Sequence, residues 1–197
     1  VVLWGVHIMR RWPDNFEATF SHVNTRRLVS SMGFFDFFTK EQPPLVEQAF
    51  DDVKLMLRNG HEMFAASTGR LLDNEILDVD LKALDGEINQ SEQDLRRAVL
   101  EHLNVEPDRE LIFSLKLISI VHEAERIGDL AKTLAKTADL AHAQRMGPLV
   151  EPLRELRDRI LHMFDLAQEG FISENESMAR DLMLEHETIK DDVTNYL

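Results

Sequence analysis

The sequence of 197 residues contains no cysteine. This absence excludes a disulfide framework, a thiolate metal site and a cysteine nucleophile. It fits a reducing compartment, so we expect a cytoplasmic protein. Glycine and proline are also scarce, with 8 and 6 residues. So few helix breakers favour long helices over a β fold with many turns.

Long apolar runs and excess positive charge are missing as well. The longest early apolar run, residues 1–9, is far shorter than the roughly 20 residues of a membrane-spanning helix. We therefore expect at most a peripheral association with the inner face of a membrane. The formal net charge is −14, and such an acidic surface repels nucleic-acid phosphates, so no nucleic-acid partner is expected. Residues 1–40 have the opposite charge, because their five basic and three acidic side chains give a net charge of +2. The remainder of the chain therefore has a net charge of −16.

The sequence motifs of common enzymes are absent too. There is no glycine-rich phosphate loop and no His-Glu-x-x-His zinc motif. No glutamate lies three residues before any histidine, as the di-iron helix bundles require. These absences argue against a carboxylate-bridged metalloenzyme, and we predict that the chain is not an enzyme.

What the sequence does contain is helical periodicity. Apolar residues recur at spacings of three and four, with some steps of seven or eight, in segments from residue 46 onwards, a pattern typical of amphipathic helices packed in a bundle. We predict five helices and an all-α fold.

The ends of these helices are also predicted from the sequence. A polar turn separates the first two helices at residues 73–80, and residues 104–107 end the second. The third helix is predicted to end at Gly147–Pro148 and the fourth at Gly170, and a Ser173–Glu176 capping box is predicted to begin the fifth. We call the row of residues that each helix is expected to bury its seam. The seam of the first helix is Val46, Phe50, Val53, Leu57, Gly60, Phe64 and Leu71. That of the second is Leu81, Leu84, Ile88, Leu95 and Leu103, and that of the third is Phe113, Leu117, Ile120, Ala124, Ile127, Ala131, Leu134 and Ala138.

The lengths and loops of these helices suggest a tandem three-helix repeat. Residues 41–146 are predicted to form the first repeat, and residues 147–197 a second repeat that lacks its third helix. Residues 1–40 are predicted to be an N-terminal arm outside the core domain. Four phenylalanines at positions 34, 35, 37 and 38 lie in this arm, where they either pack on the bundle or contact a partner or membrane surface.

The third helix carries the most informative group of polar residues. Glu125 and Asp129 are four residues apart, so they share one flank and repel each other mildly. A bound cation would turn that repulsion into attraction, because hard cations and iron accept carboxylate ligands. The alternative is a solvated acidic flank balanced by Arg126 and Lys132. Gly128, between the two carboxylates, predicts either close approach of a neighbouring helix or room for a ligand.

The segment Glu123-Ala124-Glu125-Arg126-Ile127-Gly128-Asp129 resembles the signature of the PhoU family, and the helical pattern extends the resemblance over residues 45–197. It implies two three-helix-bundle repeats and a non-enzymatic regulator. Proteins of this family restrain phosphate import and repress the phosphate-starvation response. The partners implied are the ATPase of the phosphate ABC transporter and a membrane-bound phosphate-sensing histidine kinase.

The resemblance also implies a metal site. Several family members bind iron or zinc through acidic motifs on the second and third helices of a repeat. Carried onto this sequence, the candidate ligands are Glu125, Asp129 and Glu92. Arg96 stands where the family often has aspartate, and Glu123 is expected to pair with Arg126 rather than bind metal.

A second signature is absent, and the incomplete repeat is expected to expose an apolar groove. We expect another protomer, and hence a homo-oligomer, or residues 1–40 to fill that groove. Two other interpretations stay open. The chain could be the PhoU-like cytoplasmic domain of a sodium/phosphate cotransporter, or a helical scaffold without a metal.

Overall fold

The computed structural model describes residues 44–105, 111–140, 142–173 and 175–196. These residues form five helices and no strand, which confirms the all-α prediction for the part of the chain described. The predicted N-terminal arm lies outside it. The described residues include no helix that is long and apolar enough to cross a membrane. The helices are α1 (Pro44–Asp73), α2 (Leu81–Val105), α3 (Leu111–Ala138), α4 (Val150–Ser173) and α5 (Glu176–Tyr196).

Helices α1, α2 and α3 pack against one another around a shared core. The predicted seam of α3 is confirmed wherever its side chains are described, since most of them are at least nine-tenths buried and Leu134 is partly buried against the core. On α1, however, Leu72 is buried in the seam where Leu71 was predicted. The polar turn at residues 73–80 is confirmed, because α1 ends at Asp73 and α2 begins at Leu81.

Helix α4 runs antiparallel to α1 along most of its length. Phe171 near the end of α4 meets Phe50 near the start of α1, with ring centroids 5.1 Å apart, and Phe164 meets Phe64 at 5.9 Å. At the other end of the two helices, Arg154 and Arg157 of α4 form ion pairs with Asp73 of α1, at 2.7 Å and 2.6 Å. Helix α5 in turn packs on α4. The α4–α5 hairpin is therefore joined to the first three helices chiefly through α1, and the division of the chain at residue 146 stays a prediction.

Two helix ends differ from the prediction. Helix α3 ends at Ala138, nine residues before Gly147, because Arg145 folds back and donates to the carbonyl oxygens of Ala138 and, through its backbone N–H, of Leu72. Helix α4 continues past Gly170 to Ser173. Gly170 is buried, and a Cβ there would lie 3.3 Å from Cβ of Met178, so this glycine serves helix packing rather than helix termination.

The predicted capping box at the start of α5 is wrong. Asn175 caps the helix instead, because its Oδ1 accepts the backbone N–H of Ser177 at 2.9 Å. Ser173 belongs to the last turn of α4, where its hydroxyl donates to the carbonyl oxygen of Glu169 at 2.6 Å. Asparagine and serine are both good N-caps, so the sequence pattern alone could not choose between them.

Candidate functional site

The candidate site lies on the surface shared by α2 and α3, which run antiparallel. Lys132 Nζ of α3 is 2.8 Å from Asp85 Oδ1 of α2, and His122 Nδ1 of α3 is 3.9 Å from Glu92 Oε1 of α2. These two contacts fix the register of α2 against α3. We call the surface formed by Asp85, Glu92, His122, Glu125, Asp129 and Lys132 the acidic face.

Gly128 allows the two helices to approach closely at the acidic face. A Cβ at this position would lie 3.3 Å from Asp85 Oδ1, 3.4 Å from Ile88 Cδ1 and 3.7 Å from Met63 Cε. The helix-packing interpretation of this glycine is therefore confirmed. The close approach brings Asp85 within reach of Lys132 and places the carboxylates of α2 beside those of α3.

The carboxyl groups of Glu125 and Asp129 lie one turn apart on α3 and interact with each other. Burial is the main cause that raises the pKa of Glu125, and the negative charges of Asp129 and Glu92 raise it further. The pKa of Asp129 is lowered, chiefly by its hydrogen bond to Lys132, which is 2.8 Å away. When a proton is shared between the two carboxyl groups, it therefore resides on Glu125, which then donates to Asp129.

Glu92 brings a third carboxylate to the acidic face. Its side chain is only 16% exposed, and Arg96 Nη2 lies 2.8 Å from its Oε1. Arg96 thus forms an ion pair with Glu92, as the unusual residue at that position suggested. Glu123 pairs with Arg126 at 3.0 Å, so the prediction that Glu123 serves an ion pair is confirmed.

The three predicted metal ligands come together on one surface, but each has other interactions. Glu92 is bound by Arg96, Asp129 by Lys132, and Glu125 by Asp129. Among the described residues, no three histidine, aspartate or glutamate side chains are arranged to hold a metal ion. The side chains as placed therefore fit a network of ion pairs rather than a metal site, and Arg96 and Lys132 would have to turn away before a cation could bind.

Some polar residues in the interior were not predicted from the sequence. Asn59 of α1 is 2% exposed, and its Nδ2 donates to Glu87 Oε2 of α2 at 2.8 Å. Its position beside Gly60 in the seam was the only signal, since an asparagine there needs a polar partner. His186 of α5 is also 2% exposed.

A comparison with models of protein families gives a match to part of the chain. The family model described as PhoU domain matches residues 45–138, a segment that begins in the first turn of α1 and ends with α3. No curated protein and no solved structure matches the chain.

Proposed function

Because the family model described as PhoU domain matches residues 45–138, we propose that this chain is a non-enzymatic regulator of phosphate uptake and of the phosphate-starvation response. The observation that carries the proposal is the position of the signature residues. Glu125 and Asp129 lie on the acidic face, while Ile127 and Gly128 of the same segment pack inwards. The segment therefore couples the packing of the domain to a surface that a partner can reach.

The proposed partners are the ATPase of the phosphate ABC transporter and a phosphate-sensing histidine kinase. The chemistry of the acidic face supports a protein partner with basic side chains, because Glu125 is half-buried, Asp129 is exposed, and their pKa values are shifted in opposite directions. An arginine or lysine of a partner would bind this carboxyl pair, because a nearby cation favours the ionised form of Glu125 and so opposes the effect of burial and of the neighbouring carboxylates on its pKa.

Binding of the purified full chain to each partner tests the proposal. Glu125→Ala combined with Asp129→Ala removes the carboxyl pair, and we expect at least a tenfold loss of affinity, since a charged interface pair is worth more than about 1.4 kcal/mol. A matched control exists on α4, where Asp165 and Glu169 are also four residues apart and both are exposed. Asp165→Ala combined with Glu169→Ala changes the net charge equally and should leave the affinity unchanged.

Two results would contradict this assignment. Equal losses in the two double variants would mean that only overall charge matters. No binding of the unchanged chain to either protein would leave a helical scaffold as the better description. Circular dichroism of both variants should match that of the unchanged chain, because the four carboxylates lie on helix surfaces.

Metal binding is a separate proposal, with iron or zinc held by Glu125, Asp129 and Glu92 after Arg96 and Lys132 have turned away. Elemental analysis after incubation with each metal tests it directly. We expect the Glu125→Ala, Asp129→Ala variant to lose the metal that the Asp165→Ala, Glu169→Ala variant keeps. Equal metal content in the two variants would overturn the ligand assignment without affecting the partner proposal. Self-association of the chain also stays a proposal, which light scattering would test.

A further inference from the structure

Six large apolar side chains are exposed together where the first four helices meet at one end of the bundle. Helix α4 begins level with the end of α1, because Asp73, the last residue of α1, binds Arg154 and Arg157. Helix α3 ends at the same level, since Arg70 of α1 reaches Asp139, just beyond α3, at 3.4 Å. We call this cluster the apolar end. Its side chains are 37–87% exposed and belong to Ile76, Leu77, Leu140, Met146, Leu149 and Leu153.

The apolar end holds a large share of the exposed apolar surface. Twelve large apolar side chains are exposed in the part of the chain that the structure describes, and half of them lie at this end. Ile76 and Leu77 are neighbours in the α1–α2 turn, and Leu149 and Leu153 are four residues apart at the start of α4. Single exposed leucines are normal on a soluble domain, but apolar side chains grouped in one patch mark a contact site.

Hydrogen bonds fix the loop that carries part of the apolar end. The backbone N–H of Arg145 donates to the carbonyl oxygen of Leu72 at 3.0 Å, and its side chain donates to the carbonyl oxygen of Ala143 at 2.8 Å. Arg154 in turn donates to the carbonyl oxygen of Arg145 at 3.1 Å. Met146, the next residue in the chain, is held outwards and is 87% exposed. A partner would therefore meet a loop that is already ordered, which lowers the entropic cost of binding.

Negative charge accompanies the apolar side chains at this end. The α1–α2 turn and the α3–α4 loop carry four acidic side chains and one basic side chain. Exposed Glu75 and Asp78 stand directly before and after the pair of Ile76 and Leu77. The basic residue is Arg145, whose side chain binds carbonyl oxygens of its own chain. With the adjoining helix turns included, the net charge of this end is −2, counted over residues 70–84 and 135–153 with histidine neutral.

We propose that the apolar end binds a protein segment that has apolar side chains flanked by lysine or arginine, as on an amphipathic helix with a basic rim. Apolar contact supplies the affinity, and the carboxylates favour a basic partner over others. A second copy would bring another negative end against the first, and an anionic lipid surface would be repelled in the same way. This contact is separate from the acidic face and does not depend on the proposed function.

Fluorescence anisotropy of a labelled peptide mixed with the full chain tests the proposal. The probe is a synthetic peptide in which leucines at helical spacings form one face and lysines form the other. Met146→Ser combined with Leu149→Ser removes two exposed apolar side chains, and we expect the peptide to bind this variant at least about tenfold more weakly. Binding to the unchanged chain should also weaken as the salt concentration rises, because salt screens the carboxylates.

Two control variants separate the apolar end from other surfaces of the chain. Ile172→Ser combined with Leu184→Ser removes side chains that are 63% and 69% exposed elsewhere, and it should leave the affinity unchanged. Glu125→Ala combined with Asp129→Ala should also leave it unchanged, because neither residue lies at the apolar end. Thiol labelling then locates the peptide, since the chain has no cysteine of its own. A saturating amount of peptide should slow labelling of Leu153→Cys but not of Leu184→Cys.

Several outcomes would overturn the inference. The first is no binding of the peptide to the unchanged chain, or an equal loss of affinity in the Ile172→Ser, Leu184→Ser variant. Equal binding of a peptide with glutamate in place of lysine would remove the role of charge. Protection of Leu153→Cys without peptide, increasing with the concentration of the chain, would assign the surface to a second copy. Flotation of the unchanged chain, but not of the Met146→Ser, Leu149→Ser variant, with phosphatidylglycerol vesicles would assign it to a lipid surface. Circular dichroism of each variant checks that the bundle is folded.

Discussion

Gly128 offers the sharpest test of the packing beneath the signature, because Gly86 on α2 provides a matched control. Both glycines lie inside helices, where replacing glycine by alanine is worth about 1 kcal/mol in helix propensity. A Cβ on Gly86 would have nothing within 4 Å, whereas a Cβ on Gly128 would lie 3.3 Å from Asp85 Oδ1 and 3.4 Å from Ile88 Cδ1. The same substitution should therefore have different effects at the two sites.

The magnitudes follow from these distances. Gly86→Ala should raise the free energy of unfolding by about 1 kcal/mol, since only the propensity changes. Gly128→Ala should gain less, because Asp85 is held by Lys132 at 2.8 Å and must shift by a few tenths of an ångström. Gly128→Val adds two methyl groups beyond the Cβ to the contact with Asp85 and Ile88. It should therefore lower the free energy of unfolding by about 1–3 kcal/mol.

Urea denaturation followed by far-ultraviolet circular dichroism measures these differences. The slope of the free energy against urea should stay constant across the three variants, so that the midpoints report stability alone. An equal gain for Gly128→Ala and Gly86→Ala, together with a neutral Gly128→Val, would refute the close approach of α2 and α3 at the signature.

Three further substitutions test other parts of the structure. Asn59→Ala should lower the free energy of unfolding by about 1–3 kcal/mol, because it removes the buried hydrogen bond from Asn59, which is 2% exposed, to Glu87. Urea denaturation measures this change, and an unchanged midpoint would contradict the pairing. Burial lowers the pKa of Lys116 to about 8, so the cost of its buried charge should decrease as the pH rises from about 8 to about 10.4; Lys116→Met should remove this contribution to the pH dependence of the urea midpoint, and an identical pH dependence with and without Lys116 would contradict it. Burial acts to raise the pKa of Asp73, but hydrogen bonds from Arg154 and Arg157 outweigh it and lower the pKa; Asp73→Asn should thus lower the thermal midpoint at neutral pH, and this deficit should vanish as the pH falls below about 4, through the lowered pKa of Asp73.

The sequence was sufficient to predict the helices that carry a continuous apolar seam. In α3, Leu117, Ala124 and Ala131 repeat at seven-residue intervals and are all buried, because burial of one face dominates the stability of such a helix. Helix ends depended on local contacts that periodicity does not encode. Arg145 folds back onto the end of α3, and no sequence pattern within α3 predicts that contact.

The candidate site was predictable in composition but not in arrangement. Glu125 and Asp129 follow from their spacing, and the placement of Arg96 beside Glu92 follows from a spacing of four on one helix. The bridge from Lys132 to Asp85, in contrast, joins residues 47 positions apart. It depends on the register of α2 against α3, which the short side chain at Gly128 permits, and neither helix specifies that register alone.

Phosphate uptake by cells that lack the gene for this chain tests the central claim most directly. If the chain restrains import, these cells should take up phosphate faster than normal in phosphate-rich medium and should express starvation genes there. Returning the unchanged chain, or its Asp165→Ala, Glu169→Ala variant, should restore both, whereas the Glu125→Ala, Asp129→Ala variant should not. Normal uptake and normal starvation-gene expression without the gene would contradict the proposed regulatory function.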